Sequence, residues 1–487
     1  MKVISSLLLY ITLLLSPEEL YSQPDRKIND SIVIIAQSSQ VDSLFTPWSK
    51  SNSPGVAVLV MKDGKVLHRK GYGLANIQTK TPVSPESVFD LGSIGKQFTA
   101  MAIMILAERG HLSYDDKLTT FFPEFPSYAG KITIKHLLHH TAGLPEYEKL
   151  YIQNRKVKPD YETAYKKTSW AFEPTSKDLL ALISEQTLPE FTAGDEWDYS
   201  NTGYVILGQI VEKISGISLS QFMKVNIFQP LGMNNTLLYD ETKPKISNLA
   251  VSYIWVGNEI KGINYNALSL IYGDGGVNSS ISDMANWYRA IENNTLIKAS
   301  TLKQAFTSGK LNNGANVGYG YGWYVSNSLG LERMIHAGTW IGFKHEVAYY
   351  PEQHVTVLIL SNDGRFTRTD RSALITQLTK IFLSDKMTFP TAVRINPAIL
   401  KQYTGKYESE TGESFEISII GGALNVKPSG LLPIRLVPES AIKFFVDDSE
   451  DDRYVFRKDD KGKVIGLMKQ LSLAGYTKFA YSWAKKL

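Results

Sequence analysis

The spacing of the apolar residues changes near residue 390, and this change constrains the fold more than any other feature of the 487-residue chain. Before it, strand-like and helix-like patterns are mixed. After the linker-like stretch DKMTFPTAVRINP, apolar and polar residues alternate around glycine turns, as in SFEISIIGGALNVKP, which is typical of β-strands. The chain is also too long for one ordinary core. The sequence therefore predicts two domains, the second being a small all-β, barrel-like unit over residues 397–487.

The first 23 residues have the layout of a secretory signal. Lys2 precedes an apolar run from Val3 to Leu15, which is too short to span a bilayer comfortably. We therefore expect a signal peptide over residues 1–23 and an exported protein, periplasmic or extracellular, with no membrane span after the signal. An uncleaved membrane anchor is the alternative.

Charge and cysteine content narrow the range of partners. The net charge of +4 is small for this length and no basic stripe is present, so nucleic acid is not an expected partner. The chain has no cysteine, which excludes disulfides, thiol catalysis and zinc–thiolate sites. We expect a small-molecule or peptide substrate, no metal and no organic cofactor. The sequence does not fix the oligomeric state.

Local patterns place several elements before the linker. The segment GVAVLVMKDGKVLHRKGYG (55–73) predicts a β-hairpin that turns at Asp63-Gly64. Apolar spacing predicts helices over residues 93–110 and 201–216, each closed by a glycine. One surface helix is expected within residues 24–50. The charged and aromatic stretch 147–177 is interpreted as a loop that forms part of a site rim.

The segment LGSIGKQF (91–98) places Ser93 and Lys96 three residues apart at the start of a predicted helix. A serine hydroxyl is a poor nucleophile until a base removes its proton, and residues at this spacing share a helix face. The positive helix end and burial both favour a neutral lysine. The spacing alone also fits a helix cap beside a solvated lysine, because the chain holds three further S-x-x-K pairs. These are Ser300/Lys303, Ser440/Lys443 and Ser482/Lys485.

Other motifs occur in a fixed order after Ser93. Tyr199-Ser200-Asn201 is the only Y-x-N in the chain, and His336-Ala337-Gly338 is the only H-x-G. Three longer segments accompany these two motifs, and they are LLHHTAGLP (137–145), FTAGDEWDYSNTGYVILGQIVEKISG (191–216) and GDGGVNSSISDMANW (273–287). This set resembles the penicillin-recognising serine enzymes, which include class C β-lactamases, serine D-Ala-D-Ala carboxypeptidases, D-aminopeptidases and related esterases. The resemblance covers roughly residues 40 to 380.

The resemblance implies the fold and the principal site residues. The fold class is α/β, the β-lactamase/transpeptidase-like fold over residues 30–385, with an antiparallel sheet flanked by helices and a helical subdomain. Ser93 would attack the substrate carbonyl and form an acyl-enzyme. Lys96 and Tyr199 would share proton transfer. Asn201 would position the substrate amide or the lysine amine.

The later motifs carry the remaining implied roles and two departures from the family pattern. Gly338 would let its strand approach the substrate, and the N–H of Thr339 would join that of Ser93 in an oxyanion hole. His336 stands where β-lactamases usually carry the lysine of K-T-G or K-S-G, which makes penicillin turnover less expected. Asp274 puts a charge where a small residue is usual, which predicts an altered substrate preference.

The resulting interpretation is an exported serine hydrolase that acts through acyl-Ser93 on amide, peptide or ester bonds, with D-amino-acid peptides as the leading substrate class. Three alternatives stay open. The first is a true β-lactamase. The second is a non-catalytic sensor or binding protein. The third is a protein whose C-terminal barrel binds the ligand. The three histidines at 136, 139 and 140 have a spacing that a metal site can use. We interpret them instead as packing or loop-anchoring residues.

Overall fold

The chain is described from a computed structural model. The described residues are 35–50, 52–153, 172–409, 412, 414–428, 432–447, 451–470 and 481–487. The predicted signal peptide, residues 1–23, lies outside the described residues, and so does part of the predicted rim, residues 154–171. Within the described parts of the chain, no helix combines the length and the apolarity needed to cross a bilayer.

A six-stranded antiparallel sheet, in the order β10-β11-β12-β13-β1-β2, forms the centre of the first domain. The strands before the linker are β1 (Val56–Lys62), β2 (Lys65–Tyr72), β3 (Leu74–Asn76), β4 (Thr81–Pro82), β5 (Phe89–Asp90), β6 (Leu237–Leu238), β7 (Tyr253–Val256), β8 (Glu259–Gly262), β9 (Val277–Ser279), β10 (Tyr324–Ser328), β11 (Leu331–Trp340), β12 (Phe343–Tyr350) and β13 (Val355–Ser361). The predicted hairpin is confirmed, because β1 and β2 pair across a turn in which Asp63 and Gly64 both have positive φ. Every residue of β13 is buried, so both faces of the sheet are covered.

Helices pack around this sheet and around one another. They are α1 (residues 35–45), α2 (Lys96–Glu108), α3 (Leu118–Phe121), α4 (Ile134–Leu138), α5 (Tyr147–Gln153), α6 (Ser176–Ser184), α7 (Asn201–Ser215), α8 (Leu219–Met223), α9 (Ile281–Glu292), α10 (Ala299–Ala305), α11 (Arg368–Leu383) and α12 (Pro397–Lys401). Short 3-10 helices occur at Thr46–Trp48, Gly92–Gly95, Ser127–Lys131, Pro351–Gln353 and Ser384–Lys386, and a π-helical turn at Lys224–Phe228. Helix α9 contacts β1 and β13, and α11 contacts β12 and β13. Helix α2 is buried from its first residue to Leu106, as expected for a helix at the centre of a domain. The predicted antiparallel sheet flanked by helices is confirmed.

The loop predicted over residues 147–177 is wrong at both of its ends. Helix α5 begins at Tyr147, and helix α6 begins at Ser176. Tyr147 and Tyr151 are buried on one face of α5, because residues four apart lie on the same side of a helix. Thr175 caps α6 through a hydrogen bond from the backbone N–H of Asp178. The tyrosine spacing was the available signal for α5.

The C-terminal strands close into an eight-stranded barrel, as the alternating pattern predicts. They are β14 (Gly405–Ser409), β15 (Ser414–Ile420), β16 (Ala423–Pro428), β17 (Ile434–Pro438), β18 (Lys443–Val446), β19 (Arg453–Lys458), β20 (Val464–Gln470) and β21 (Tyr481–Lys486). Among the described residues the barrel has its own apolar cluster, which includes Tyr403, Tyr407 and Phe456. The larger cluster runs from Val41 to Leu383. The two cores are therefore built from separate parts of the chain.

Candidate active site

Ser93 lies in the 3-10 turn that leads from β5 into α2, one turn before the α-helix itself begins. The backbone N–H of Gly92 donates to Oδ1 of Asp90 at 2.9 Å, which holds this turn against the end of β5. Gly92 has a φ of 52°, and a Cβ there would lie 2.7 Å from the backbone N of Thr339. Glycine is therefore required at position 92, and the backbone of β11 passes directly beside Ser93.

Lys96 is the buried centre of the site, with 0% of its surface exposed. Its Nζ donates to Oγ of Ser93 at 3.2 Å and to Oδ1 of Asn201 at 2.8 Å. A third bond reaches the backbone O of Asp274 at 2.7 Å. Burial lowers the pKa of Lys96 to about 8, although neighbouring carboxylates, Asp274 foremost, oppose that shift. A substantial fraction of Lys96 is therefore neutral near physiological pH.

Tyr199 and Asn201 reach Lys96 from the start of α7. The ring of Tyr199 lies with its centroid 4.9 Å from the Lys96 Nζ. Burial raises the pKa of Tyr199, so this phenol stays protonated, and its buried hydroxyl has no hydrogen-bond partner among the described residues. Asn201 is the first residue of this helix and not its N-cap. Ser200 is the N-cap and accepts from the N–H of Gly203, which leaves the Asn201 side chain available to Lys96.

His336 lies on β11 but is not among the residues that line the cleft beside Ser93. Only 1% of its surface is exposed. Its Nδ1 lies 2.7 Å from the carbonyl O of Ala337 and therefore carries the proton, so Nε2 accepts from the Tyr319 hydroxyl at 3.0 Å. Burial lowers the pKa of His336 to about 3. The imidazole is therefore neutral, and it lies beneath the strand.

Gly338 and Thr339 occupy the part of β11 that faces the nucleophile turn. A Cβ on Gly338 would lie 2.0 Å from the carbonyl O of Leu91, so only glycine allows the strand and the turn to approach this closely. Thr339 lines the cleft together with Ser93. The structure therefore brings the predicted site residues together. The ring centroid of His336 lies 6.2 Å from that of Tyr199, although His336, like Lys96 and Tyr199, does not line the cleft itself.

The histidines at 136, 139 and 140 each form a hydrogen bond with a backbone group, in agreement with their interpretation as packing or loop-anchoring residues. His136 accepts from the backbone N–H of Thr133, which caps α4. His139 donates through Nδ1 to the carbonyl O of Tyr319 at 2.8 Å. His140 accepts from the backbone N–H of Ser200 at 3.0 Å. Within the described part of the chain, no group of three or more His, Asp or Glu side chains is placed to hold a metal ion.

The cleft beside Ser93 has a cavity volume of about 50 Å³. Besides Asp274, it is bordered by acidic and aromatic residues that the motif comparison did not single out. The lining residues are Asp90, Gly92, Ser93, Tyr147, Glu148, Asn201, Ser269, Ile271, Asp274, Gly275, Gly276, Thr339 and Trp340. Tyr147 and Glu148 follow the LLHHTAGLP motif after one intervening residue, and this position was the available signal for them.

The carboxylates around the cleft have raised pKa values because they are buried. The pKa of Asp90 rises to about 7, and so does that of Glu146, which stands behind the cleft. Burial also raises the pKa values of Glu148 and Asp274. The hydroxyl of Tyr147 donates to Oδ2 of Asp274 at 3.0 Å. The carboxyl groups are therefore held in surroundings where a charge is costly unless it is paired.

Comparison with known proteins shows which proteins the chain is similar to. The sequence model of the Beta-lactamase family matches residues 41–379. Penicillin-binding protein 4* of Bacillus subtilis (strain 168) is 31% identical over 424 residues, which are 83% of this chain and 91% of that protein. The octameric penicillin-binding protein homologue from Pyrococcus abyssi has a TM-score of 0.59 at 25% identity, covering 95% of this chain and 100% of that one.

A second solved structure shares the fold at lower identity. The D-amino acid amidase from Ochrobactrum anthropi SV3, in complex with L-phenylalanine amide, has a TM-score of 0.59 at 19% identity and covers 72% of this chain and 99% of that one. The family match spans well over half of the 487 residues. Its range also includes Ser93, Lys96, Tyr199 and the later strand motif. The chain therefore belongs to the beta-lactamase family.

Proposed function

We propose that the protein is an exported serine hydrolase that cleaves amide, peptide or ester bonds through an acyl-Ser93 intermediate. The observation that carries this proposal is the 3.2 Å hydrogen bond from Nζ of Lys96 to Oγ of Ser93. It is made by a lysine whose pKa is lowered by burial to about 8. A serine with such a base in direct contact is an activated nucleophile.

In the first half-reaction Oγ of Ser93 attacks the substrate carbonyl carbon, and its proton passes to neutral Lys96. The carbonyl oxygen becomes an oxyanion, which the backbone N–H groups of Ser93 and Thr339 stabilise. The bond to the leaving group then breaks. The leaving group takes the proton from Lys96, with the Tyr199 hydroxyl as the relay.

In the second half-reaction a water molecule attacks the acyl-Ser93 carbonyl. Lys96 accepts the water proton and returns it to Oγ of Ser93 as the ester bond breaks, so the acid product leaves and the enzyme is restored. Asn201 holds Nζ of Lys96 in place throughout by its 2.8 Å hydrogen bond. His336 supports β11 from behind as a neutral side chain.

The substrate class and the export rest on separate observations. D-Amino-acid peptides are the proposed substrates because of the motif resemblance to D-aminopeptidases and carboxypeptidases, and a D-amino acid amidase shares the fold. Export is proposed from the apolar leader that follows Lys2.

The test is the intact mass of the protein after exposure to a fluorophosphonate probe. We expect a single adduct on the native protein and none on Ser93→Ala. Ser300→Ala is the matched control, since it removes the serine of another S-x-x-K pair at an exposed position of helix α10, and it should label as the native protein does. Absence of an adduct on folded native protein would favour a non-catalytic binding protein.

Penicillin recognition is a second candidate function, favoured by the 31% identity to penicillin-binding protein 4*. Turnover of a chromogenic cephalosporin would establish a true β-lactamase. A stable acyl adduct on Ser93 without turnover would establish penicillin binding alone.

A further inference from the structure

The hydrogen bonds of Lys96 fix the direction from which its amine can accept a proton. A neutral amine has two N–H donors and one lone pair, whereas the ammonium form has three donors. Oδ1 of Asn201 and the backbone O of Asp274 lie 2.8 Å and 2.7 Å from Nζ. Oγ of Ser93 lies farther away, at 3.2 Å. In the neutral lysine these two nearer oxygens take both protons, and the lone pair is left to face Ser93.

Glu146, which directly precedes α5, holds the residue that carries the first of these two acceptors. Its Oε2 accepts from the backbone N–H of Asn201 at 3.0 Å. Two further bonds join the same segments, because the N–H of Tyr147 donates to Oγ1 of Thr202 at 2.9 Å and that hydroxyl donates to the carbonyl O of Pro145 at 2.9 Å. Thr202 is fully buried. The first turn of α7 is therefore fixed against residues 145–147.

Tyr147 holds the residue that carries the second acceptor of Lys96. Its hydroxyl donates to Oδ2 of Asp274 at 3.0 Å, and its side chain is buried. From α2, Oγ1 of Thr99 donates to the carbonyl O of Gly273 at 2.6 Å. The glycine-rich segment is thus tied to α2 through its backbone and to α5 through a side chain. Two consecutive residues at the start of α5 therefore contact both residues whose oxygens accept from Lys96.

We propose that Glu146 and Tyr147 are positioning residues for the base Lys96. By holding its two acceptors in place, they direct the lone pair of the neutral amine toward Ser93. Among the described residues, neither of them forms a hydrogen bond with Lys96 or Ser93, so their effect is transmitted through the acceptors. Neither belongs to the motifs that indicate the family. This inference rests on the proposed acyl-Ser93 function.

The experiment measures how fast the fluorophosphonate labels Ser93 across the pH range, which gives a midpoint and a plateau. Well above the midpoint Lys96 is neutral, so the plateau reports the position of the amine. Glu146→Ala and Tyr147→Phe should each lower the plateau by about tenfold, because a displaced base accepts the proton poorly. Glu146→Gln keeps an oxygen for the Asn201 N–H, and its plateau should stay within about twofold of the native value.

The midpoint is a readout that a merely structural role would not move. Glu146 is one of the carboxyl groups that raise the pKa of Lys96. Burial raises the pKa of Glu146 itself to about 7, so this carboxyl is mostly ionised at the expected midpoint near 8. Glu146→Gln removes that charge and should therefore move the midpoint to lower pH.

Two controls remove similar hydrogen bonds away from the site. Glu108→Ala removes a carboxylate at the other end of α2 that accepts from the backbone N–H of Lys298 at 2.8 Å. Tyr407→Phe removes a hydroxyl in the barrel that donates to the carbonyl O of Tyr403 at 2.7 Å. Both variants should keep the native plateau and midpoint.

A native plateau in Glu146→Ala or in Tyr147→Phe, with circular dichroism showing a folded protein, would remove that residue from the proposal. If Glu146→Ala does not fold, Tyr147→Phe decides, since it keeps the ring. An equally low plateau in Glu146→Gln and Glu146→Ala would refute the role of the acceptor oxygen.

Failure of the proposed function is distinguished by the absence of any adduct on native protein at any pH. Hydrogen exchange at the Asn201 N–H then replaces labelling. Loss of protection in Glu146→Ala, with protection kept in Glu146→Gln, would support the hold on α7. Equal protection in native protein and Glu146→Ala would refute it.

Discussion

The reactivity that we assign to Lys96 comes from its surroundings. A lysine in water holds its proton far above neutral pH, whereas burial in this site lowers the pKa of Lys96 to about 8. The neutral amine, which is the form able to accept the Ser93 proton, therefore becomes more abundant as the pH rises through that value.

The direction of this pKa shift predicts how the labelling of Ser93 depends on pH. The rate at which the fluorophosphonate labels Ser93 should rise between about pH 6 and about pH 10, with a midpoint near 8. Lys96→Met should lower the labelling rate by at least about 100-fold. Lys303→Met, in another S-x-x-K pair, serves as the control. A flat profile in the native protein would contradict the assignment of Lys96 as the base.

A second prediction at the residue scale concerns Gly338. Gly338→Ala should lower the free energy of unfolding by about 1–3 kcal/mol and abolish labelling, because the new Cβ would lie 2.0 Å from the Leu91 carbonyl O and push β11 away from Ser93. In Gly130→Ala the nearest atom to the new Cβ is 3.9 Å away. That control should be neutral in denaturant unfolding and in labelling. Native-like labelling by Gly338→Ala would show that the close approach is dispensable.

At the scale of elements, the N-cap of α7 couples helix stability to site geometry. The Ser200 side chain accepts from the N–H of Gly203 at 3.1 Å, and the next residue, Asn201, contacts Lys96. Ser200→Ala should lower the free energy of unfolding by about 1 kcal/mol and also slow the labelling of Ser93, because the first turn of α7 loses its anchor.

The matched control for this prediction is Thr367→Ala, which removes a similar cap from α11. Both variants should show the same shift in a denaturant titration, and only Ser200→Ala should show slower labelling by mass spectrometry. Equal labelling rates in the two variants would mean that the cap of α7 has no effect on the site.

Elements also differ in how well the sequence predicts them. The hairpin at Asp63-Gly64, the glycine end of α7 at Gly216 and the barrel hairpin at Gly421-Gly422 follow from local turn chemistry, and all are confirmed. Helix α5 was not predicted, because its one local signal, the spacing of Tyr147 and Tyr151, is short, and the packing of both rings in the domain core is not visible in any local window.

At the scale of the whole molecule, the main apolar cluster of each domain and a polar contact between the domains define the arrangement of the described residues. The cluster of the first domain ends at Leu383, and that of the barrel begins at Leu400. Between the domains, Asp451 accepts from the hydroxyl of Ser328 at 2.5 Å and from the backbone N–H of Leu329 at 3.0 Å.

Because the cores are separate, we predict that deletion of residues 390–487 leaves a folded domain in which the fluorophosphonate still labels Ser93. Calorimetry of the full chain should show two unfolding transitions, one of which the deletion removes. Asp451→Asn keeps the barrel and weakens only the contact of residue 451 with Ser328 and Leu329. This variant therefore shows which effects of the deletion come from losing that contact alone. An unfolded or unlabelled truncated protein would show that the first domain depends on the barrel.

The sequence by itself determined the local features: the period of the strands, the turns and caps, and the S-x-x-K, Y-x-N and H-x-G motifs whose order indicates the family. These depend on residues close together in the chain. Only the tertiary structure decided that Lys96 meets Asn201 and Asp274, which lie 105 and 178 residues away, and that His336 turns to Tyr319 behind the cleft. Burial at these long-range contacts sets the protonation state of Lys96 and of the cleft carboxyl groups. That burial is a property of the packed chain and is absent from any short segment of it.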